Sequence, residues 1–490
     1  MGGNSELLKA FPAVFPGTYA GSGPSNADVP VIDKNELETM IVFDAAGGMY
    51  HSCGTIHELA VKNAATVMQF ARQPKVRIIV FAHDAGTPGA KYAQKTPGLA
   101  MPTPKDGLDA FFQQYQLVNE GVLQQLNSIG KAAVTSHPPI CSFPIGPDFG
   151  RVVLSNRMMK EWIATYICAL VFAQAKIADN QTLFVMGPNF CKGRTGMRPI
   201  NVPDQLKVAY KEAEYFCVYM SNVFADLYNV QIYSRDTDAV IASLISWARV
   251  KTIVDQTEPF EIEGVQFKNI VYTVQHWHEP KQNLAYIDQN KLWLAITQRI
   301  VTLGSLTGQH GIQSATATIV ALLCFRGNDY VKPVPMLVPE LLLTVFHQQY
   351  SRLSHPLVRE GRKASDFKMN CTGFLELFLY AYAKKYDKLN LDMDDLESSF
   401  AKVAAVLPRK EQKESFSYAS MLGRCANVCW FMRYMLAAAM GGLPEPYDAV
   451  NAEGRSLWGY RRKSKELTIH GWEDVELTND VDISHFDFTT

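Results

Sequence analysis

Arg77-Ile78-Ile79-Val80-Phe81-Ala82-His83-Asp84 and, upstream of it, Met40-Ile41-Val42-Phe43-Asp44 decide how this chain folds. Each is a short apolar run rich in β-branched and aromatic residues, with no alternation of polar positions. That is the pattern of a strand covered on both faces. Each run also closes on an aspartate. In an open α/β sheet the carboxyl ends of parallel strands surround the crevice where ligands bind, so both acids are expected at one functional edge. Strand-like and helix-like runs alternate to about residue 345. The fold class this predicts is α/β, a mostly parallel central sheet with helices on both faces, followed by a helical C-terminal region.

Further acids fall in the same order along the chain. Glu212-Ala213-Glu214 opens a predicted helix from Lys211 to Tyr228, Asp236-Thr237-Asp238 follows the β-rich Val230 to Tyr233, and Asp329 sits in Gly327-Asn328-Asp329-Tyr330. Two like charges about 4 Å apart repel by roughly 1 kcal/mol in water and about 4 kcal/mol at an intermediate dielectric. A set of carboxylates brought together therefore expects divalent cations. Oxygen donors suit Mg²⁺, with Mn²⁺ as a substitute, and two such ions about 4 Å apart are the arrangement that hydrolyses phosphodiesters. Asp44, Asp84, Glu212, Glu214, Asp236, Asp238 and Asp329 are the expected metal ligands, directly or through water.

In order and local context these strings resemble the flap endonuclease and XRN-type 5′→3′ nuclease superfamily of PIN-like, metal-dependent nucleases. Phe43-Asp44-Ala45-Ala46-Gly47-Gly48-Met49-Tyr50-His51 resembles the family's first strand and loop, where an aromatic or His stacks on a substrate base. Tyr50 is favoured for that role and His51 is the alternative. Asp84-Ala85-Gly86-Thr87-Pro88-Gly89-Ala90-Lys91 resembles the string in which the Asp ligates metal and the Lys contacts the reacting phosphate, with Gln94 and Lys95 one helical turn further on. Glu212-Ala213-Glu214, Ser234-Arg235-Asp236-Thr237-Asp238 and Gly327-Asn328-Asp329-Tyr330 resemble the family's remaining acidic strings. The resemblance spans residues 40 to 345.

Within the superfamily, the chain sits closer to the XRN-type exoribonucleases. Where flap endonucleases carry a Gly-containing hairpin that grips duplex DNA, Val331-Lys332-Pro333-Val334-Pro335-Met336-Leu337-Val338-Pro339-Glu340 has no glycine. Cys141-Ser142-Phe143-Pro144-Ile145-Gly146-Pro147-Asp148-Phe149 is similar to an XRN-type loop. The resemblance thus implies a 5′-end-directed nuclease acting on single strands, RNA in preference to DNA. The alternatives are a structure-specific DNA endonuclease and a nuclease fold kept as a binding or structural module. Lys207 to Lys211 lacks the Gly or Pro the family has before its paired glutamates, so the approach to Glu212 is expected to differ.

The chain's 490 residues, 47% hydrophobic and 19% charged, suffice for a large core. No run reaches the ~18 apolar residues of a membrane helix and no signal-peptide pattern opens the chain, so a soluble, intracellular protein with no membrane partner is expected. The cysteines lack regular spacing and read as reduced thiols. A formal net charge of −1 is low for a nucleic-acid enzyme, because phosphate neutralisation supplies most of the affinity. Lys192, Arg194 and Arg198, in the Gly- and Pro-rich stretch Gly187 to Pro203, are expected to line a flexible basic loop that tracks the substrate backbone.

Three regions are expected. They are an irregular leader (1–38), a nuclease core (39–345) with insertions at about 92–148 and 258–293, and a helical region (346–490) with an acidic tail. The rival metal pattern His51-x-Cys53-x-x-x-His57 lacks a fourth partner at zinc spacing.

Overall fold

The computed structural model describes residues 19–23, 38–46, 53–85, 157–188, 190–208, 210–224, 227–234, 236, 238–251, 261–262, 265–266, 270–278, 281–288, 309–328, 331, 333–349, 357–359, 367–387, 389–408, 416–439, 441, 460–463 and 466–469. The expected insertion at 92–148 and most of the leader lie outside them, as do Tyr50, His51, Lys91, Gln94, Lys95 and Asp329.

A nine-stranded sheet organises the chain. Its strands are β1 (Tyr19–Gly23), β2 (Thr39–Asp44), β3 (Val76–Ala82), β4 (Thr182–Gly187), β5 (Phe190–Thr195), β6 (Arg198–Ile200), β7 (Asn229–Ser234), β8 (Ile270–His278) and β9 (Lys281–Asp288). They lie side by side as β1-β9-β8-β7-β2-β3-β4-β5-β6. The central strands β8, β7, β2, β3 and β4 run parallel, while β9 and β5 are antiparallel to their neighbours. The sheet is mixed and mostly parallel, as the uninterrupted apolar runs predict.

Period-two alternation sends successive residues of β2 to opposite faces. Met40 and Val42 join one buried cluster, and Ile41 and Phe43 join the other. Each aliphatic side chain so buried stabilises the fold by about 1.5–3 kcal/mol. Helices α1 (Ile56–Ala71) and α2 (Arg157–Gln174) cover the Ile41 face. Thr55 caps α1 by accepting the Glu58 N–H at 3.1 Å, while the Glu58 carboxylate reaches back to the Gly54 N–H at 2.7 Å. This is a capping-box arrangement shifted by one residue.

The opposite face carries α3 (Ala213–Phe224), α4 (Asp238–Lys251) and α5 (Gln309–Cys324). Residues Ala213 to Asn222 of α3 are all buried, which requires cover on every side of the helix. The C-terminal helices supply that cover. Helices α6 (Pro339–Gln349), α7 (Cys371–Lys385), α8 (Leu396–Val406) and α9 (Tyr418–Ala439) follow, and α9 packs on α3, α4 and α7. Asn222 Nδ2 donates to the Ala439 carbonyl at 3.0 Å.

The C-terminal helices α7 and α9 share one core with α3 and the sheet. Within the stretch expected as an insertion at about 258–293, β8 pairs in parallel with β7, and β9 pairs with β8. Among the described residues no helix is long and apolar enough to cross a membrane.

Candidate metal centre

Strand register brings the first acids level. Asp44 lies opposite Ala82 of β3, and Phe43 lies opposite Tyr233 of β7. The chain leaving β3 therefore presents Asp84 at the same edge, and Ser234 closes β7 beside Asp44.

The glutamates reach this edge because the exit of β3 is fastened to the approach to α3. The Ala85 N–H donates to the Lys211 carbonyl at 2.8 Å, and the Tyr210 hydroxyl donates to the His83 carbonyl at 2.8 Å. The Ala213 N–H then donates to Asp84 Oδ1 at 3.0 Å. An N–H in the first turn of a helix has no intrahelical acceptor and carries the positive end of the helix dipole, so it stabilises an anion. Asp84 is thus held by the helix that carries Glu214.

Oxygens of Asp44, Asp84 and Glu214 lie within 4.8 Å of one another. All three residues are buried, at 3%, 9% and 4% exposure, so their mutual repulsion is poorly screened. Burial pushes the Asp44 carboxyl up to about 7, and the charges of Asp84 and Asp236 add to the rise. Hydrogen bonds from Ser234 Oγ to Asp44 Oδ2 (2.7 Å) and from the Ala46 N–H to Oδ1 (3.0 Å) oppose it. Three buried oxygen donors from separate elements form a set that can hold a hard divalent cation.

The other acids of the sequence reading take different places. Residues two apart at a helix start do not share a face, and Glu212 is not among the three converging acids. Glu212 Oε2 accepts the Tyr434 hydroxyl of α9 at 2.8 Å, in the buried interior. The same rule separates Asp236 from Asp238. Asp236 stays close enough to raise Asp44, its N–H donates to Ser234 Oγ at 3.1 Å, and its Oδ1 accepts the Asp238 N–H at 3.1 Å. Asp238 opens α4 at 2% exposure, and its charge bears on Tyr215 and Cys324 in the core. Asp329 lies outside the described residues; Asn328 and Val331 on either side of it are joined, each N–H bonded to the other residue at 2.9 Å.

The expected basic loop is a β-meander instead. Thr195 pairs with Thr182, the first residue of β4, and with Arg198. The β5–β6 turn therefore sits at the sheet edge opposite the acids. Arg194 is 2% exposed and donates to the carbonyls of Phe172, Ala175 and Gly196, so it fastens the end of α2 and is no substrate contact. Lys192 packs over the Phe190 ring at 5.3 Å, and Arg198 is exposed. The zinc alternative finds no support among the described residues, where His57 Nδ1 lies 2.8 Å from the Tyr166 hydroxyl.

Sequence reasoning missed Lys160. Its ammonium, carried by α2, lies 2.6 Å from Asp84 Oδ2. No spacing signal marks it, since it is the helix's single lysine and belongs to none of the acidic strings. His83, fully buried beside Asp84, is held neutral: burial lowers its pKa to about 4, and the charge of Lys160 adds to the fall. No family model matches the chain, and no curated protein sequence matches it.

Proposed function

We propose that the chain is a divalent-metal-dependent nuclease with a PIN-like core, hydrolysing phosphodiester bonds of single-stranded nucleic acid from a 5′ end. The convergence of Asp44, Asp84 and Glu214 at the carboxyl edge of parallel strands carries this reading. An all-oxygen donor set suits Mg²⁺, with Mn²⁺ in its place. Bound there, such an ion supplies Lewis-acid polarisation and a more acidic water. The chain's own residues orient the donors. Ser234 and Ala46 fix both oxygens of Asp44, and Ala213 and Lys160 fix both oxygens of Asp84.

The preference for single strands, and for RNA, rests on the resemblance to XRN-type enzymes. The path after Gly327 is compatible with it. The chain passes through Val334, whose N–H donates to the Phe325 carbonyl at 2.8 Å, and enters α6 at Pro339. Among the described residues, no glycine turn of the duplex-gripping kind intervenes. The deciding experiment incubates the protein with 5′-labelled single-stranded RNA and DNA, with and without Mg²⁺. Metal-dependent cleavage that Asp84→Asn abolishes is the expected result. Cleavage that survives both chelation and Asp84→Asn would refute the reading.

A further inference from the structure

We propose that Lys160 is the fixed cation of this centre: it anchors Asp84 and presents its ammonium to a phosphate of the substrate. The inference rests on the nuclease reading above but concerns a residue on which that reading does not depend. Three observations carry it.

Lys160 Nζ lies 2.6 Å from Asp84 Oδ2, a short charge-assisted contact, and Asp84 is one of the three converging donors. The ammonium therefore sits at the edge of the carboxylate group. Its side chain is 20% exposed and that of Asp84 11%, so the pair lies at the boundary between interior and solvent, where a ligand can reach it. Lys160 also stands near the start of α2, a helix whose buried residues Ile163, Ile167 and Leu170 lock it onto the sheet face. The backbone that aims the lysine is rigid, as positioning a reacting group requires.

The alternative is a structural ion pair. A purely structural pair needs no opening to solvent, whereas this ammonium is part-exposed beside the three converging carboxylates. A cation shared between carboxylates and an incoming phosphate explains the placement. The phosphate is attracted where the acids alone would repel it, and Lys160 stands against any metal ion approaching the same carboxylates. The role thus has two consequences of opposite sign. Removing the charge should tighten metal binding and weaken phosphate binding.

Titrations on the full chain test this with wild type, Lys160→Met and Lys160→Gln, the glutamine keeping a donor for Asp84 without the charge. Mn²⁺ binding is followed by electron paramagnetic resonance. Binding of a 5′-phosphorylated oligonucleotide is measured in saturating Ca²⁺, used as a metal that holds the site without turnover. The expected result is Mn²⁺ affinity raised severalfold and oligonucleotide affinity lowered at least tenfold in Lys160→Gln, with Lys160→Met the same if it folds. Unchanged oligonucleotide affinity, or weaker Mn²⁺ binding in Lys160→Gln, overturns the proposal while leaving the metal centre standing. A wild-type protein that binds no Mn²⁺ removes the nuclease reading and this inference with it.

Discussion

Ser234 donates its hydroxyl to Asp44 Oδ2 at 2.7 Å across a sequence separation of 190 residues, and Ser234 Oγ in turn accepts the Asp236 N–H at 3.1 Å. One buried serine thereby sets the direction of a metal-site carboxylate and anchors the loop that brings the next acid to it. Groups that orient metal ligands typically change affinity by about 10–100-fold when removed. Ser234→Ala is therefore expected to weaken Mn²⁺ binding at least tenfold while the melting temperature falls only a few degrees. Unaltered affinity in a folded Ser234→Ala protein would show that Asp44 does not depend on this hydroxyl.

A second prediction follows from the charge on Asp44. Its folded pKa is raised from 3.8 to about 7. A raised carboxyl contributes stability that is complete below its ordinary value and is lost as pH rises through the folded value. The metal-free protein should thus become less stable between about pH 4 and pH 7, and saturating Mg²⁺ should offset the loss by neutralising the ionised group. His83 acts in the opposite sense, losing stability as pH falls from 6.5 toward about 4. The difference between wild type and Asp44→Asn isolates the first effect. Melting curves without metal should show Asp44→Asn gaining relative to wild type as pH rises; a constant difference across that range contradicts the assignment.

Where the sequence was read correctly and where it was not has a physical pattern. Strands such as Met40 to Phe43 announce themselves because a doubly covered strand tolerates few polar residues, and their terminal acids were legible with them. Whether paired acids converge was not legible. Glu212 and Glu214, or Asp236 and Asp238, differ by about half a turn of a helix start, and only tertiary packing decides which one faces the site. Arg194 misled for a related reason. Arginine in a Gly- and Pro-rich stretch reads as exposed, yet two backbone carbonyls at the end of α2 and that of Gly196 hold it buried. Lys160 meets Asp84 from 76 residues away, with no motif to mark the lysine.

Arg194 supplies a third prediction. A guanidinium that donates to buried carbonyls contributes about 1.5–3 kcal/mol for each charged hydrogen bond, and its removal leaves the acceptors unpaired. Arg194→Ala should destabilise the protein by about 3 kcal/mol or more, with little change in nucleic-acid affinity at temperatures where it stays folded. A specific fall in affinity at unchanged stability would restore its role as a backbone contact.

The fourth prediction concerns the link from the C-terminal helices to the acids. Tyr434 of α9 donates to Glu212 Oε2 at 2.8 Å, and the Tyr215 ring meets Tyr434 edge-on at 5.3 Å. Tyr434→Phe removes one donor and leaves a buried carboxylate oxygen short of a partner, at a cost of about 1–3 kcal/mol. Glu212 is not among the three converging acids, so Mn²⁺ affinity should stay within about twofold. Chemical denaturation and a metal titration of the same variant check both halves. A tenfold loss of Mn²⁺ affinity would place Glu212 back among the ligands.

The last prediction separates cutting from an end from cutting within a strand. The resemblance assigns Tyr50 to a terminal base and Lys91, with Gln94 and Lys95, to the phosphate beside it. Both strings adjoin acids that the structure brings together, Tyr50 following Asp44 and Lys91 following Asp84. Base stacking on an aromatic ring is worth about 1–3 kcal/mol, so Tyr50→Ala should lower affinity or rate by about tenfold. Lys91→Ala should slow degradation of a 5′-monophosphorylated strand toward the rate of its 5′-hydroxyl counterpart, which has no terminal phosphate to be held. A closed circular single strand offers neither a terminal base nor a terminal phosphate while keeping every internal bond. An end-directed enzyme leaves it whole, whereas an endonuclease cuts it as readily as a linear strand of the same sequence. Comparing the two substrates with Mg²⁺ on a denaturing gel reads the difference directly, and efficient cleavage of the circle would transfer the assignment to the endonuclease alternative.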